Sequence, residues 1–421
     1  MSGIWGNSLK LSIFGESHGP AIGITLDGLP PGFEIDWEAV AREMSRRAPG
    51  RDGISTPRAE TDAWEILSGI FENRTAGSPL CAIIRNEGQR PGDYSRRLLR
   101  PGHADWTAIA KYGGYADYRG GGHFSGRLTA PLVFAGAIAR QILAAGGVSI
   151  YARIASIHGA RDEPATAPAR AEPARDAATP WPVAAPWPDE AAFAAAAKKP
   201  LPALSDEAAA KMRAAILAAR DEGDSVGGVV ECAAFGLPRG WGDPFFDSLE
   251  SRISSMMFSI PAVKGIEFGE GFGFAAMKGS EANDAYRVGG GEKSAGAGGA
   301  GDAGRKDGDG TGQGAGGAGE SAAEVVALSN HNGGVNGGIS NGSPLIFRVA
   351  IKPTPTIRKE QQTVDLAAGS NVTASFGGRH DPCVVPRALP AVEAGLALCL
   401  LDSKLSCVHA IHTKSIKGRL Q

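Results

Sequence analysis

The chain has 421 residues, with 43 lysines and arginines against 45 aspartates and glutamates. A formal net charge of −2 gives no overall attraction for nucleic acid or anionic lipid, and leaves only local arginine clusters to hold a small anion. With 43% hydrophobic and 21% charged residues the chain is not disordered throughout, and it has material for a large core. Glycine is the outlier, at 60 residues, fifteen of them between Gly289 and Gly319. The five cysteines (Cys81, Cys232, Cys383, Cys399, Cys407) form no CxxC pair and no Cys/His ligand spacing, as in a reducing cytoplasm, and no metal site is expected. Residues 1–12 do not pattern as a leader, and the apolar runs 130–139 and 394–401 fall short of the roughly 20 residues that span a bilayer, so a cytoplasmic protein is expected.

In chain order, residues 8–14 and 22–26 alternate as Leu9, Leu11, Ile13 and Ile22, Ile24, Leu26, which predicts a hairpin whose glycine-flanked loop carries Glu16, Ser17 and His18. Trp37, Val40 and Met44 predict a helix over 36–47, stopped by Ala48, Pro49 and Gly50. Residues 64–71 and 78–85 read as a second strand pair, 105–112 and 128–145 as helices. The stretch 158–202 is Ala/Pro-rich with few large apolar residues, and a surface excursion is expected there. Helices follow at 205–222 and 247–257, strands at 226–235 and 263–268. The low-complexity run 289–319 is expected to be a flexible insertion. A strand at 345–351 and a helix at 385–401 complete the pattern. Paired elements without a regular βαβ rhythm predict an α+β domain.

Four glycine-rich turns carry the groups that could do chemistry: Gly15-Glu-Ser-His-Gly19, Arg100-Pro-Gly-His-Ala-Asp105, Arg119-Gly-Gly-Gly-His-Phe-Ser-Gly-Arg127 and Gly378-Arg-His-Asp-Pro382. Brought together, they would offer arginines for a phosphorylated or carboxylated substrate and histidines that exchange protons near neutral pH. No Walker phosphate loop, full dinucleotide fingerprint, HExxH or G-x-S-x-G occurs.

With these turns stand Leu26-Asp-Gly-Leu-Pro-Pro-Gly32, Arg47-Ala-Pro-Gly50, Asp117-Tyr-Arg119, Gly223-Asp-Ser-Val-Gly227, Ala262-Val-Lys-Gly265, Asn330-His-Asn-Gly-Gly334, Gly337-Gly-Ile-Ser340 and Lys352-Pro-Thr354. As an ordered set they resemble the chorismate synthase family along nearly the whole chain. The resemblance implies a β-α-β sandwich, a homotetramer, and a lyase that eliminates phosphate from 5-enolpyruvylshikimate 3-phosphate in an anti-1,4 sense, using reduced FMN without net redox change. NADPH would enter only through an external flavin reductase. By carry-over, His18 protonates the departing phosphate, His103 keeps the reduced flavin correctly protonated, and Asp381 with Ser17 and Ser125 forms the relay that takes the proton from flavin N5. Arg47, Arg100, Arg127 and Arg379 grip the substrate. His123, Phe124, Ser125, Pro261, Ala262, Gly337, Lys352, Pro353, Thr354, Pro355, Thr356 and Arg379 match the flavin-contacting stretches. His123 and Phe124 stand where many members carry Arg-Ser, Leu128 where many carry Glu, and Gly53 where a second arginine often lies, with Arg51 as its substitute. The alternatives are a non-catalytic flavin- or polyanion-binding homologue and a bifunctional synthase that reduces its own flavin.

Overall fold

A computed structural model gives the structure, describing residues 3–50, 53–56, 62–89, 92, 94–162, 189–288, 325–378 and 380–407. The chain runs β1 (Ile4–Trp5), β2 (Lys10–Gly15), β3 (Ala21–Asp27), α1 (Trp37–Arg47), β4 (Trp64–Ser68), β5 (Leu80–Arg85), α2 (Asp105–Tyr112) and α3 (Thr129–Ala144). It continues through β6 (Ser149–Ile157), β7 (Ala160–Arg161), α4 (Glu190–Ala197), α5 (Asp206–Asp221), β8 (Gly228–Phe235) and α6 (Leu249–Ser259). Last come β9 (Val263–Phe268), the single turn α7 (Gly279–Ala282), β10 (Leu345–Ile351) and α8 (Val385–Ser406).

Two five-stranded antiparallel sheets form, in the orders β1-β2-β3-β5-β4 and β9-β10-β8-β6-β7. In the first, Leu11 pairs with Leu26 and Ile13 with Ile24, and Ile22, Ile24 and Leu26 point inward, fully buried. The period-2 alternation thus gives one apolar face, which must be covered. A helical layer covers it. α3 packs on α1, β3, β5 and α8, and α8 packs in turn on α6 and on β6 and β8 of the second sheet. Both central helices are apolar on nearly every side, as helices enclosed between two sheets must be. They approach closely at Gly136, where a Cβ would lie 2.2 Å from that of Ala394. The architecture is the expected α+β sandwich of sheet, helices and sheet.

One polar group sits inside this layer. Glu393 of α8 accepts from Arg46 of α1, from Arg140 of α3 at 3.3 Å and from the Ala152 amide of β6 at 2.8 Å, which ties three elements to α8. Asp36 caps α1 by accepting from the Ala39 amide.

Several elements depart from the sequence reading. β6 lies where no strand is expected, and α8 continues to Ser406 rather than ending at 401. Of the expected excursion 158–202, residues 163–188 lie outside the described residues. The remainder is not an excursion: α4 lays Phe193, wholly buried, against Phe235 of β8, and Leu201, Pro202 and Ala203 are buried too. The glycine-rich run 289–319 also lies outside the described residues. The strands flanking it, Tyr286–Val288 and Val325–Ala327, pair antiparallel, so the chain leaves and re-enters the fold at adjacent points.

Candidate active site

The hairpin loop between β2 and β3 turns through Gly15, with φ +93°, and through the Gly19 amide on the Glu16 carbonyl. It presents Ser17 and His18, both buried. Ser17 Oγ lies 3.2 Å from His18 Nδ1, and the Ser17 amide donates to the Gly122 carbonyl at 3.1 Å. Facing it, Gly120, Gly121 and Gly122 all hold positive φ, a backbone path that side chains would forbid. A Cβ on Gly120 would stand 2.2 Å from the His18 ring, and one on Gly121 3.2 Å from the His103 ring. Two histidines from loops far apart in sequence therefore flank two successive glycines.

His103 is oriented from behind. A carboxylate only accepts, so its Nδ1–H donates to Asp105 Oδ1, at 2.7 Å, and Nε2 faces Gly121. Asp105 also receives the Arg100 guanidinium at 2.8 and 2.6 Å. Burial would raise this carboxyl, but the hydrogen bonds from His103 and Arg100 hold it well below the ordinary range. Arg100 lies over the Tyr94 ring, whose edge-on partner is His18 at 5.1 Å.

A second cluster lies beside the His18 loop. Asp62 accepts from Arg47 and, at 2.8 Å, from Arg127, and all three side chains are buried. Burial alone would raise Asp62, but the two guanidiniums hold it low. Burial pulls Arg47 down to about 10 against the attraction of Asp62, with Arg387 and Arg127 adding to the fall. Asn86 accepts from Arg127 Nε at 2.6 Å and donates to the carbonyls of Glu16 and Gly19, which locks Arg127 to the loop that bears His18.

The remaining described residues fall into four groups. Lys352 reaches the Gly102 carbonyl beside His103, its backbone amide donates to Ala262 at 2.9 Å, and Pro355 borders Gly102. Pro261, Ala262 and residues 352–356 thus form one surface with the His103 loop. Asp381 accepts from the Thr56 amide at 2.9 Å and from Arg387, while Ser17 bonds to His18 and Ser125 Oγ accepts from the Arg127 amide. No direct bond joins Asp381 to either serine. His123 donates through Nδ1 to the Gly15 carbonyl, and Phe124 packs on Tyr112. Gly337 stands apart: its turn packs through Gly338 on Ser248 at the N-terminal end of α6, whereas Ala262 follows the C-terminal end. Arg379 and Arg51 lie outside the described residues. Asp62, Asn86, Tyr94 and Arg387 carry no signal in the sequence that singles them out. Each stands outside the glycine-rich turns and enters the site by pairing with a residue inside one.

Between the His103 loop and residues 375–377 opens a cavity of about 160 Å³, lined by Tyr94, Tyr118, Phe124 and Phe376 and by Arg100, His103 and Thr356. Aromatic walls with a few polar groups, floored by a glycine where a Cβ would meet His103, fit a planar heteroaromatic group with polar edges. Near it, His380 Nε2 is buried without a partner among the described residues. Burial lowers the His380 pKa from its ordinary value, and the nearby Arg100 lowers it further. The sign is definite: the unfolded chain takes up this proton first as pH falls below about 6.5, so stability present above that value drains away toward the lower folded pKa. The urea midpoint of the wild type is therefore expected to fall more between pH 7 and pH 5 than that of His380→Gln. Equal falls would remove His380 as the cause.

Residues 9–405 match the family model described as chorismate synthase. Proteins named chorismate synthase from Aeropyrum pernix and Korarchaeum cryptofilum are each 42% identical to this chain. The alignments cover 94% of it and 91% of the former protein, and 95% of it and 96% of the latter. That from Thermococcus kodakarensis is 41% identical over 95% of this chain and 97% of its own. A solved structure titled as the crystal structure of chorismate synthase superposes with a TM-score of 0.65 at 26% identity, over 99% of this chain and 97% of the other. With the sandwich and the paired histidine loops in place, these likenesses leave one assignment: the chain belongs to the chorismate synthase family.

Proposed function

We propose that this lyase converts 5-enolpyruvylshikimate 3-phosphate to chorismate and inorganic phosphate by anti-1,4-elimination, with reduced FMN in the aromatic-walled cavity. The observation that carries the reading is the placement of His18 and His103 on either side of Gly120 and Gly121, with Arg47 and Arg127 alongside. Among the described residues Arg47 and Arg127 pair with Asp62, and Arg387 pairs with Asp381. Guanidiniums gathered in this way suit a substrate carrying a phosphate and two carboxylates.

His18 gives its proton to the departing phosphate oxygen, so the leaving group departs with less negative charge. Ser17 Oγ on Nδ1 fixes the ring plane for that transfer. His103, locked by Asp105, presents Nε2 at a fixed place beside the cavity. Asp381, held by Thr56 and Arg387, is the carboxylate that takes up the proton lost from C6. Reduced FMN, when bound, supplies electron density to the allylic system whose C–H bond breaks. Thr356 offers a polar group to the cavity and Phe124 an apolar face, while Lys352 reaches the Gly102 carbonyl beside His103. Arg100 and Arg379 complete the substrate arginines of this reading.

FMN is reduced outside the chain by a separate reductase that uses NADPH, in the cytoplasm. No helix of the described residues is long and apolar enough to cross a membrane. A homotetramer is part of the reading, supported by the exposed rings of Phe245, Phe246, Phe258 and Phe272 around α6 and β9.

Under anaerobic conditions, the protein with FMN and dithionite is expected to form chorismate, and with oxidised FMN alone to form none. NADPH should substitute for dithionite only when a flavin reductase is added. Turnover on oxidised FMN without any reductant would sink the mechanism.

A further inference from the structure

Arg387 lies in the first turn of α8, where a cation opposes the positive end of the helix dipole. Its position is compensated by two acceptors that belong to different parts of the site. Nε donates to the Arg47 carbonyl at 3.1 Å, at the last residue of α1, and Nη1 donates to Asp381 Oδ2. Its side chain is 15% exposed and that of Asp381 12%, so water competes little for either bond. Asp381 Oδ1 is already taken by the Thr56 amide. Both carboxylate oxygens are thus fixed, one by the chain near the substrate arginines and the other by Arg387.

We propose that Arg387 is a positioning residue, which uses the fork of its guanidinium to set the Asp381 carboxylate relative to the end of α1 that presents Arg47. Lysine would have to serve both acceptors from a single nitrogen, without the planar fork that reaches two places at once. The inference rests on the reading of Asp381 as the proton acceptor.

A double-mutant cycle tests it, because residues that act through one another give non-additive losses. Arg387→Met is expected to lower kcat about tenfold or more with KM for the substrate within about threefold, since a group that fixes the proton acceptor serves the transition state more than the ground state. Arg387→Lys should restore only part of that loss. In an Asp381→Asn background, Arg387→Met should cost less than about twofold further. Equal losses in the two backgrounds, or a rise in KM alone, would overturn the role of Arg387 while leaving that of Asp381 standing. An Asp381→Asn enzyme with wild-type kcat would overturn both. Should Arg387→Met fail to fold by circular dichroism, Arg387→Lys takes its place in both backgrounds: a loss that shrinks in Asp381→Asn supports the role, and equal losses overturn it.

Discussion

Asp62→Ala is expected to cost about 3–5 kcal/mol of stability, the range for removing one partner from a buried ion pair. Asp62 is the shared acceptor of Arg47 and Arg127, and its side chain is fully buried. Without it, two guanidiniums remain side by side out of water, and Arg127 lowers the affinity of Arg47 for its proton. The loss is a large part of the roughly 5–15 kcal/mol that holds a domain folded, so soluble yield should fall as well. Asp62→Asn, which keeps an acceptor and the shape, should cost less. Urea unfolding of both variants measures this, and a loss below about 1 kcal/mol in Asp62→Ala would show that solvent reaches the pair.

His18→Ala is expected to lower turnover by about 10²–10⁴-fold, the usual contribution of a general acid. The side chain is buried, yet its surroundings are loop backbone, Ser17 and the Tyr94 edge rather than the main core, so folding should survive its loss. Flavin affinity should change little, because the cavity wall near His103 does not include His18. Circular dichroism and flavin fluorescence beside the kinetics separate the cases. A variant that unfolds, or that keeps turnover within about tenfold, would return His18 to a packing role.

Much of this is legible in sequence where local physics decides the outcome. The hairpin carrying His18 follows from strict alternation between two glycines, and α1 from the helical spacing of Trp37, Val40 and Met44 and a Pro-Gly stop. The misses have local causes too. α4 is nearly all alanine, so composition counts it as poor in apolar surface, but one phenylalanine and a row of methyl groups suffice against β6 and β8. The hairpin Gln361–Asp365 and Ser370–Ala374 is polar on both faces and gives no periodic signal. In the site, the histidines and arginines announce themselves by their glycine-rich turns. Asp62, Asn86 and Arg387 do not, since each is defined by a partner scores or hundreds of residues away.

Asp402, in the last turns of α8, receives the amides of Asn7, Ser8 and Leu9. The segment between β1 and β2 is therefore pinned by α8, one of the two central helices of the sandwich. During synthesis α1 and α3 follow the first sheet closely and can cover it, but α8, which packs on α3, α6 and the second sheet, emerges only after all of them. His18 precedes Asp381 by most of this sequence, so a nascent chain holds no competent site until Asp381 has emerged. A chain that stalls short of α8 lacks the helix that joins α3 to the second sheet, and is expected to leave apolar surface open to aggregation.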